Sequence, residues 1–355
     1  MDFSELFSPV AIAANWTEAA SNRVPYLGEA LFPAKKQAGL DLKWIKGAKG
    51  VPISLMPTAF DAKATFRDRI GVEKLETEMP FFREGFKIKE RDRQDILRAQ
   101  SSNDPYVAAA IARVFDDANE LIEGANVVPE RERMQLLFPV DGNAGIVIKA
   151  NGVDYTYNYD PNGTWKTNNY FTTDWATSPS TADPFNDIQT AKDAIIAKTG
   201  TEVRVAVMNS TTFKLLRTNN AIKNRYLTTN GLSLGYLTDR EIIEVLKDAA
   251  GLDGVVVYDK QYRDESKAAH KFVPDNYVCL LPAGALGSTW YGTTPEEADL
   301  MGKTEHQVAI VNTGVAVTQI IDPHPVNVNT FASEIVLPSF ERMDEVALLK
   351  VSGGK

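Results

Sequence analysis

The residue types that most often perform catalysis or hold metals are few in this chain of 355 residues. Its histidines are His270, His306 and His324, and its single cysteine is Cys279. No two histidines lie four residues apart and none is beside a cysteine pair, so the spacing of a zinc site is missing. In Asp322-Pro323-His324-Pro325 a carboxylate lies near an imidazole, but the flanking prolines already explain a rigid turn. We therefore predict no metal site and no catalytic residue.

Phosphate-binding motifs are missing as well. The sequence holds no P-loop and no G-x-G-x-x-G, and Gly284-Ala285-Leu286-Gly287 is too short for a phosphate cradle. The acidic pairs Asp116-Asp117 and Glu296-Glu297 fit solvated surfaces, where charged groups ordinarily lie. We therefore expect no bound cofactor.

Charge and hydropathy narrow the class of protein further. The 47 acidic residues outnumber the 38 basic ones, and the net charge of −9 argues against a protein that binds a nucleic-acid duplex tightly. It does not argue against enclosing nucleic acid without holding it. No run of eighteen apolar residues exists, and the first residues carry acids where a signal peptide carries bases, so neither a membrane nor secretion is indicated. A lone cysteine in an apolar run fits a reducing cytoplasm.

A long helix is predicted at residues 104–126, and the rest of the chain must be built around it. Asp104 before Pro105 is a suitable N-cap, and apolar residues then recur at spacings of three and four. Gly124 and Pro129 should weaken or kink its end, and a fresh helix is expected to start at Pro129.

Two stretches near the N-terminus lack a core of their own. Residues 1–25 contain an amphipathic segment with Trp16, which predicts an arm that packs on something else. Within residues 54–86, apolar and polar side chains alternate from Phe60 to Arg67, and a second run over 72–86 follows the turn Arg67-Asp68-Arg69, as in an extended ribbon. Such a ribbon is not stable alone. We therefore select Arg67, Asp68, Arg69 and Trp16 as candidates for contacts between subunits.

The second half of the chain changes its pattern at a polar connection over residues 172–181. Before it, strands are expected near 145–148 and 155–159, and the turn at 160–163 should join the latter to a hairpin strand at 164–171. After it, helices and strands alternate up to about residue 303, with caps at Asn209 or Ser210 and at Thr238. From residue 306 onward strands dominate. A chain without catalytic groups that carries an arm and a ribbon is best interpreted as a structural subunit.

The sequence resembles a known family, the lambda-type phage major capsid proteins (major capsid protein E family). The resemblance covers nearly the whole chain, in order. The matching stretches are Leu31-Phe32-Pro33, Thr65-Phe66-Arg67-Asp68-Arg69, Asp104-Pro105-Tyr106, Thr173-Asp174-Trp175, Asp183-Pro184-Phe185-Asn186-Asp187-Ile188, Phe272-Val273-Pro274-Asp275-Asn276 and Glu334-Ile335-Val336-Leu337-Pro338-Ser339-Phe340.

The resemblance implies an α+β protein with the Hong Kong 97-type phage capsid fold. Its parts would be an N-terminal arm at 1–25, an E-loop at 54–86 and an axial domain at 180–303. The peripheral domain would take residues 26–53, residues 87–179 with the spine helix at 104–126, and residues 304–355, which return to it and form the final strand. The type protein of the Hong Kong 97 fold begins with a long cleavable scaffolding segment and cross-links its subunits. Here the arm leads directly into the fold, and nothing identifies a cross-linking set.

The implied function is that of the major capsid protein of a tailed double-stranded DNA phage or prophage, which is not an enzyme. Hexamers and pentamers of the chain would form an icosahedral shell around the genome, without sequence-specific DNA binding. A separate scaffolding protein and a portal protein are the implied partners, and the sequence leaves open whether a decoration protein binds as well. The shell would assemble in the host bacterial cytoplasm and become the virion capsid.

Two alternatives stay open on the sequence alone. The first is the shell of a cellular encapsulin-type nanocompartment, which would package an enzyme through a docking peptide. The second is an α/β enzyme with its site within residues 182–300, near Asp275 and Asn276. An enzyme of this kind would be a compact particle of one or a few chains, so its size in solution would distinguish it from a shell.

Overall fold

The computed structural model describes residues 7–20, 23–46, 73–91, 94, 105–150, 152–230, 237–264, 266–302, 307–324 and 326–352. Over these residues the chain divides into two compact units. Unit 1 comprises residues 1–42, 76–132 and 288–339, and unit 2 comprises residues 43–75, 133–287 and 340–355. Among the described helices, none combines the length and the apolar character needed to cross a bilayer.

The described chain contains both helices and strands. The helices are α1 Pro9–Ala20, α2 Leu27–Leu31, α3 Pro105–Leu137, α4 Thr164–Asn169, α5 Pro184–Thr199, α6 Ser210–Thr218, α7 Asn220–Asn230, α8 Asp239–Ala250 and α9 Pro295–Asp299, with a 3₁₀ turn at Met343–Glu345. The strands are β1 Ala34–Lys36, β2 Asp41–Lys46, β3 Glu73–Glu78, β4 Phe81–Ile88, β5 Gly145–Ala150, β6 Val153–Asn158, β7 Tyr170–Thr172, β8 Val203–Met208, β9 Gly254–Val257, β10 Gln261–Arg263, β11 Ala269–Lys271, β12 Tyr277–Pro282, β13 Ser288–Tyr291, β14 Gln307–Val311, β15 Val315–Pro323, β16 Val326–Ser339 and β17 Ala347–Lys350.

Unit 1 is built on a sheet with the order β1-β13-β16-β15-β14, in which β4 also pairs with β16. The long strand β16 is its centre, because it pairs antiparallel with β15, with β4 and, near its end, with β13. Only β1 runs parallel to its neighbour, β13. Strands β14, β15 and β16, from the last part of the chain, therefore form most of the sheet in the unit that also contains helix α1.

Helix α1, which belongs to the segment predicted to be an arm that packs on something else, packs into the core of unit 1. Helix α1 buries Ile12 and Trp16 against Ala118 and Ile122 of α3 and against the apolar face of β14 and β15. The Nε2 of Gln319 donates to the carbonyl of Phe7 at 2.9 Å. The apolar stripe of α1 is thus buried within its own unit, and the assignment of residues 1–25 as an arm stays a prediction.

The predicted long helix is present as α3, but it does not end at Asn126. It continues through Pro129 to Leu137. The proline removes one backbone hydrogen bond and would normally break the helix. The following turn is held by tertiary contacts, since Met134, Leu136 and Leu137 are each at most 2% exposed. Packing thus outweighs the local preference for a new helix start at Pro129.

Residues 81–86, predicted to be the last part of an extended ribbon, belong to the sheet of unit 1. They form most of β4, which pairs residue by residue with β16 from Ile335 to Val328. Phe86 and Ile88 pack toward the core beside Phe7. At Gly85 a Cβ atom would lie 2.5 Å from the Phe331 ring, so only glycine allows that ring to lie across the strand.

Unit 2 contains a second sheet, with the order β7-β17-β12-β8-β9. Strands β7 and β17 are parallel, as are β8 and β9, and β12 is antiparallel to both of its neighbours. Helices α5, α6 and α8 bury Ile195, Phe213 and Leu246 with Leu280 and Leu349 of the sheet. The mixed order confirms an α+β arrangement, in which the C-terminal β17 completes the sheet.

The segment 164–171 does not form the predicted hairpin strand. Residues Thr164–Asn169 are helical, as α4, and β7 pairs instead with β17. The reason is the buried carboxylate of Asp160, whose Oδ2 accepts the amides of Trp165 at 2.9 Å and Lys166 at 3.2 Å. Asp160 therefore caps a helix start instead of opening a hairpin turn.

The other predicted helix starts in unit 2 are confirmed. The side chain of Asn209 accepts from the amide of Thr212 at the start of α6. Thr238 and Glu241 form a capping box at the start of α8, and Gly251 ends that helix with a positive φ of 60°. Short polar side chains that bond backbone amides act locally, so the sequence alone suffices to place these helix starts.

Candidate intersubunit surface

Three of the four predicted contact residues, Arg67, Asp68 and Arg69, lie outside the described residues. The strands on either side of this segment, β2 and β3, pair with each other. A contact between Arg67 or Arg69 and a neighbouring subunit stays a prediction.

The fourth predicted contact residue, Trp16, is 3% exposed within its own unit. The guanidinium of Arg23 lies 4.2 Å from the centroid of its indole ring and covers it from outside. The ring is therefore enclosed by its own chain and has almost no surface for a neighbouring subunit. Its role in an intersubunit contact stays a prediction, and such a role would have to act through Arg23.

Carboxylates of α3 hold the chain that follows α1. Glu123 accepts from the hydroxyl of Tyr26 at 2.6 Å and forms an ion pair with Arg23. Further along α3, both oxygens of the buried Glu130 lie 3.1 Å from the amide of Gly28. Burial raises the pKa of Tyr26, and the nearby Glu130 charge adds to that effect, so the phenol donates throughout the neutral range. These contacts fasten the N-terminal segment to the spine.

A half-open cavity of about 320 Å³ lies within unit 1, between β4, β15, β16 and α9. Its walls include the apolar side chains of Ile320 and Phe331 and the charged Arg83, Glu296 and Asp299. Arg83 forms an ion pair with Oε1 of Glu296, whose side chain is 8% exposed. The other carboxylate oxygen has no hydrogen-bond partner among the described residues. The sequence had indicated only a solvated acidic pair at Glu296-Glu297.

Among the described residues, His270 is a histidine with an acidic partner, and no sequence motif had marked it. In the β10–β11 hairpin its Nε2 lies 2.8 Å from Oδ2 of Asp264. The same carboxylate accepts the hydroxyl of Ser266 at 2.7 Å and the amide of Ala268 at 2.9 Å. The hydrogen bond from Ser266, followed by that from His270, lowers the pKa of Asp264 to about 2. Both oxygens of Asp264 accept hydrogen bonds from residues of the same turn. The carboxylate therefore stabilises the hairpin, and this arrangement does not indicate a catalytic role.

The β10–β11 turn is expected to lose stability in acid. Because the pKa of Asp264 is depressed in the folded chain, its contribution is present above its ordinary pKa near 4 and disappears as the pH falls toward 2. Amide hydrogen exchange at Ser266 and Ala268 should quicken over that range in the wild type. In Asp264→Asn it should be faster at neutral pH and nearly independent of pH, after correction for intrinsic exchange. Equal protection of the two proteins at pH 7 would contradict the assignment.

The residues proposed for an enzyme site, Asp275 and Asn276, have structural roles. Asp275 accepts from Asn209 at 2.6 Å and from Lys271 at 2.7 Å. The amide of Asn276 donates to the hydroxyl of Thr212 at 2.8 Å. The residues that the sequence offered as an enzyme site thus form a hydrogen-bond network that connects α6 to the start of β12.

Residues 231–235, Gly-Leu-Ser-Leu-Gly, match the spacing G-x-S-x-G of a nucleophile elbow. They lie outside the described residues. An elbow requires a strand before the serine and a helix after it. Here the preceding element is helix α7, and α8 begins after its own Thr238 cap. The chain context therefore does not support a nucleophile at Ser233.

The other side chains that could take part in chemistry are buried, hydrogen-bonded to the backbone or exposed away from an acidic partner. Cys279 is fully buried, and burial raises the pKa of its thiol. Lys192, 4% exposed, donates to the carbonyls of Ala250 and Gly251 at the end of α8. His324 is exposed, and the nearby Asp322 accepts from Asn329 instead. In the described ranges, no cluster of three or more acidic, histidine or cysteine side chains could hold a metal ion.

The motif around Trp175 also has a structural role. The ring is 1% exposed in the core of unit 2, and its Nε1 donates to Asp187 at 2.7 Å. Burial raises the pKa of Asp187. Asp183 caps α5 by accepting the amides of Phe185 and Asn186. These residue types are therefore explained by folding, without any ligand.

Solved structures of phage proteins share this fold. A prophage protein of E. coli CFT073 assigned as a capsid protein superposes with a TM-score of 0.59 at 15% identity, covering 97% of this chain and 99% of the other. A phage-related protein from Bordetella bronchiseptica RB50 gives 0.55 at 16% identity, with 98% of both chains covered. The capsid of cyanophage A-1(L) gives 0.50 at 13% identity, with 91% of both covered. The fold is thus the Hong Kong 97-type capsid fold.

Sequence comparison points in the same direction. No curated protein sequence matches the chain. The profile of the family described as phage major capsid protein E matches residues 8–351, which is nearly the whole chain. This match favours neither the nanocompartment shell nor the α/β enzyme. The chain therefore belongs to the phage major capsid protein E family and is a structural capsid protein of a tailed phage or prophage.

Proposed function

We propose that copies of this chain assemble as hexamers and pentamers into a closed icosahedral shell around double-stranded DNA. The single observation that carries the proposal is the family match over residues 8–351. Contacts that repeat head to tail around an axis close into rings, and curvature between rings closes a shell. The net charge of −9 supports a wall that encloses DNA without binding it tightly.

We assign roles to the parts of the chain on the same basis. Residues 54–86 would supply the E-loop, of which 81–86 also pair in the sheet of unit 1. Residues 180–303 would form the axial domain, and the grouping of residues 133–287 within one compact unit supports most of that range. The spine helix would be the whole of α3, residues 1–25 would form the N-terminal arm, and the remaining segments would form the peripheral domain.

The partners we propose are a scaffolding protein, a portal protein and a decoration protein, with assembly in the host bacterial cytoplasm. A scaffolding protein is expected on energetic grounds. The same interfaces must serve both pentamers and hexamers with small local adjustments, so shells of different curvature lie close in free energy. A separate protein that favours one curvature would then determine the shell size.

Expression of this chain alone is expected to give closed particles of mixed size, together with tubes or aberrant shells. Coexpression with the scaffolding protein of its own phage should narrow the sizes to one class. Electron microscopy and light scattering of the purified material measure both results. Protein that stays monomeric under every salt and crowding condition, and with its phage partners present, would overturn the shell. Uniform shells from this chain alone would contradict the proposed scaffolding protein and would agree with the proposed shell.

A further inference from the structure

The outer edge of strand β6 in unit 2 is open. Strands β5 and β6 form a sheet by themselves, and among the described strands β6 pairs with β5 alone. The opposite edge of this hairpin, on β5, is already occupied. The side chain of Gln135 in α3 accepts from the amide of Val147 at 2.8 Å and donates to the carbonyl of Val147 at 3.2 Å. One edge of the hairpin is therefore blocked within the chain, and the other is available to a neighbour.

The bonds to Gln135 also determine which groups β6 presents at its open edge. Because both backbone groups of Val147 point away from β6, Val147 and Thr156 are a non-hydrogen-bonded pair of the antiparallel ladder. Such pairs alternate with hydrogen-bonded ones, so the amides and carbonyls of Asp154, Thr156 and Asn158 all face outward. These residues are exposed. The outer edge of β6 therefore carries donors and acceptors at the spacing that a further antiparallel strand requires.

The sequence of β6 is complementary to itself when two copies run antiparallel. With Thr156 opposite its own copy, Asp154 lies opposite Asn158 of the second copy, so no carboxylate faces another. Tyr155 then lies opposite Tyr157 of the second copy, in the closer, non-hydrogen-bonded pairs. These two rings already stack along β6, with centroids 6.4 Å apart, so a copy of β6 extends an existing row of aromatic rings. A shift by two residues would leave an outward-facing residue unpaired, and a shift that brings Asp154 opposite its own copy would place two carboxylates together.

We propose that β6 pairs antiparallel with β6 of a second copy across a two-fold axis, so that the two hairpins form one continuous sheet, an inference that rests on the proposed shell. A two-fold contact uses the same surface on both copies, whereas the contacts that close a ring are head to tail. The β6 contact therefore joins subunits of neighbouring rings and not subunits within one ring. Main-chain hydrogen bonds supply its affinity, and the tyrosine pairs and the Asp154–Asn158 pairs fix its register.

A disulfide across the two-fold axis tests the pairing directly. Thr156→Cys places two cysteines opposite each other, about 5.5 Å apart at Cα, which is within the range of a disulfide. The native Cys279 is buried and does not compete. Val147→Cys is the control, because this exposed residue on the same face of β5 would lie about 14 Å from its copy. Oxidised particles should give disulfide-linked dimers from position 156 and few from position 147.

The register has a test of its own. Neither Asp154→Cys nor Asn158→Cys should link to its own copy, because equal positions are displaced along the strands by about 13 Å. Particles assembled from a mixture of these two variants should give the mixed dimer, which also decides the question if Thr156→Cys does not assemble.

The alternatives give different products. Particles that form normally but give neither the dimer at position 156 nor the mixed dimer overturn the pairing and leave the shell intact. A different strand or another protein on the edge of β6 belongs to this case. A dimer at position 156 without the mixed dimer overturns the register on which the pairing rests. If the wild-type chain forms no particles at all, the shell fails and the pairing fails with it.

A proline at the centre of the edge supplies the second measurement. The amide of Thr156 faces away from β5, so Thr156→Pro removes a donor to the neighbour while the β5–β6 ladder keeps its bonds. Thr156→Val keeps that donor and loses the same hydroxyl, so it is the matched control. Circular dichroism should be the same for both variants. The concentration required for particle formation should rise about tenfold or more in Thr156→Pro and change little in Thr156→Val. Equal behaviour of the two variants would overturn the pairing.

Discussion

Replacing Arg67 and Arg69 together by glutamate is expected to leave the subunit folded and to prevent it from forming shells. The two arginines flank Asp68 in a segment that we propose as the E-loop, and an E-loop would lie over an adjacent subunit. If they pair with partly desolvated acids there, loss of a partner costs on the order of 2–5 kcal/mol at each contact. An ordinary solvated turn would lose only a few tenths of a kcal/mol. Because every subunit repeats the contact, a loss of about 2 kcal/mol at each contact is enough to stop assembly.

The measurement compares the double variant with a control of equal charge change. Lys149 and Arg240 are exposed cations of unit 2, with side chains 64% and 88% exposed, and reversing both changes the net charge by the same amount. Size-exclusion chromatography and electron microscopy should show shells for wild type and control, and subunits or small oligomers for the variant. Circular dichroism should be the same for all three. Normal shells from the variant would remove Arg67 and Arg69 from the intersubunit contacts.

Replacing Trp165 by alanine is expected to unfold unit 2 or leave it barely stable. The indole is fully buried, and its Nε1 donates to the carbonyl of Met343 at 3.0 Å. One turn later Asn169 donates to the carbonyls of Asp344 and Val346 at 2.8 Å. Helix α4 thus fastens the segment that leads into β17. Truncation of a buried tryptophan costs about 3–5 kcal/mol, and the orphaned carbonyl adds to that cost.

Urea unfolding followed by tyrosine and tryptophan fluorescence measures this loss. A domain stability of about 5–15 kcal/mol leaves little margin after Trp165→Ala. Trp165→Phe fills most of the volume and should recover a large part of the loss. Val147→Ala, at a position 46% exposed, should change the free energy of unfolding by less than about 0.5 kcal/mol. A Trp165→Ala protein as stable as Val147→Ala would show that α4 does not anchor the C-terminal segment.

Local chemistry made several elements predictable from the sequence by itself. The caps at Asn209 and Thr238, and the Gly251 stop, follow from side chains and a glycine that act on backbone groups within one turn. The apolar spacing of residues 104–126 predicted the long helix, because a buried stripe requires that period. The burial of Cys279 followed from its apolar neighbours. The resemblance to phage capsid proteins came from motifs spread along the whole chain, and the family match confirms it.

Tertiary structure decided what depends on residues far apart in the chain. Helix α3 passes Pro129 because the turn after it is buried, and β4 joins the sheet because β16, more than two hundred residues later, offers its edge. Helix α1 is a core element because the returning strands β14 and β15 cover its apolar face. The cavity at Glu296 is formed where β4, β15 and β16 meet α9. Sequence periodicity shows that a face will be buried, but the partner that buries it is chosen by packing across the whole unit.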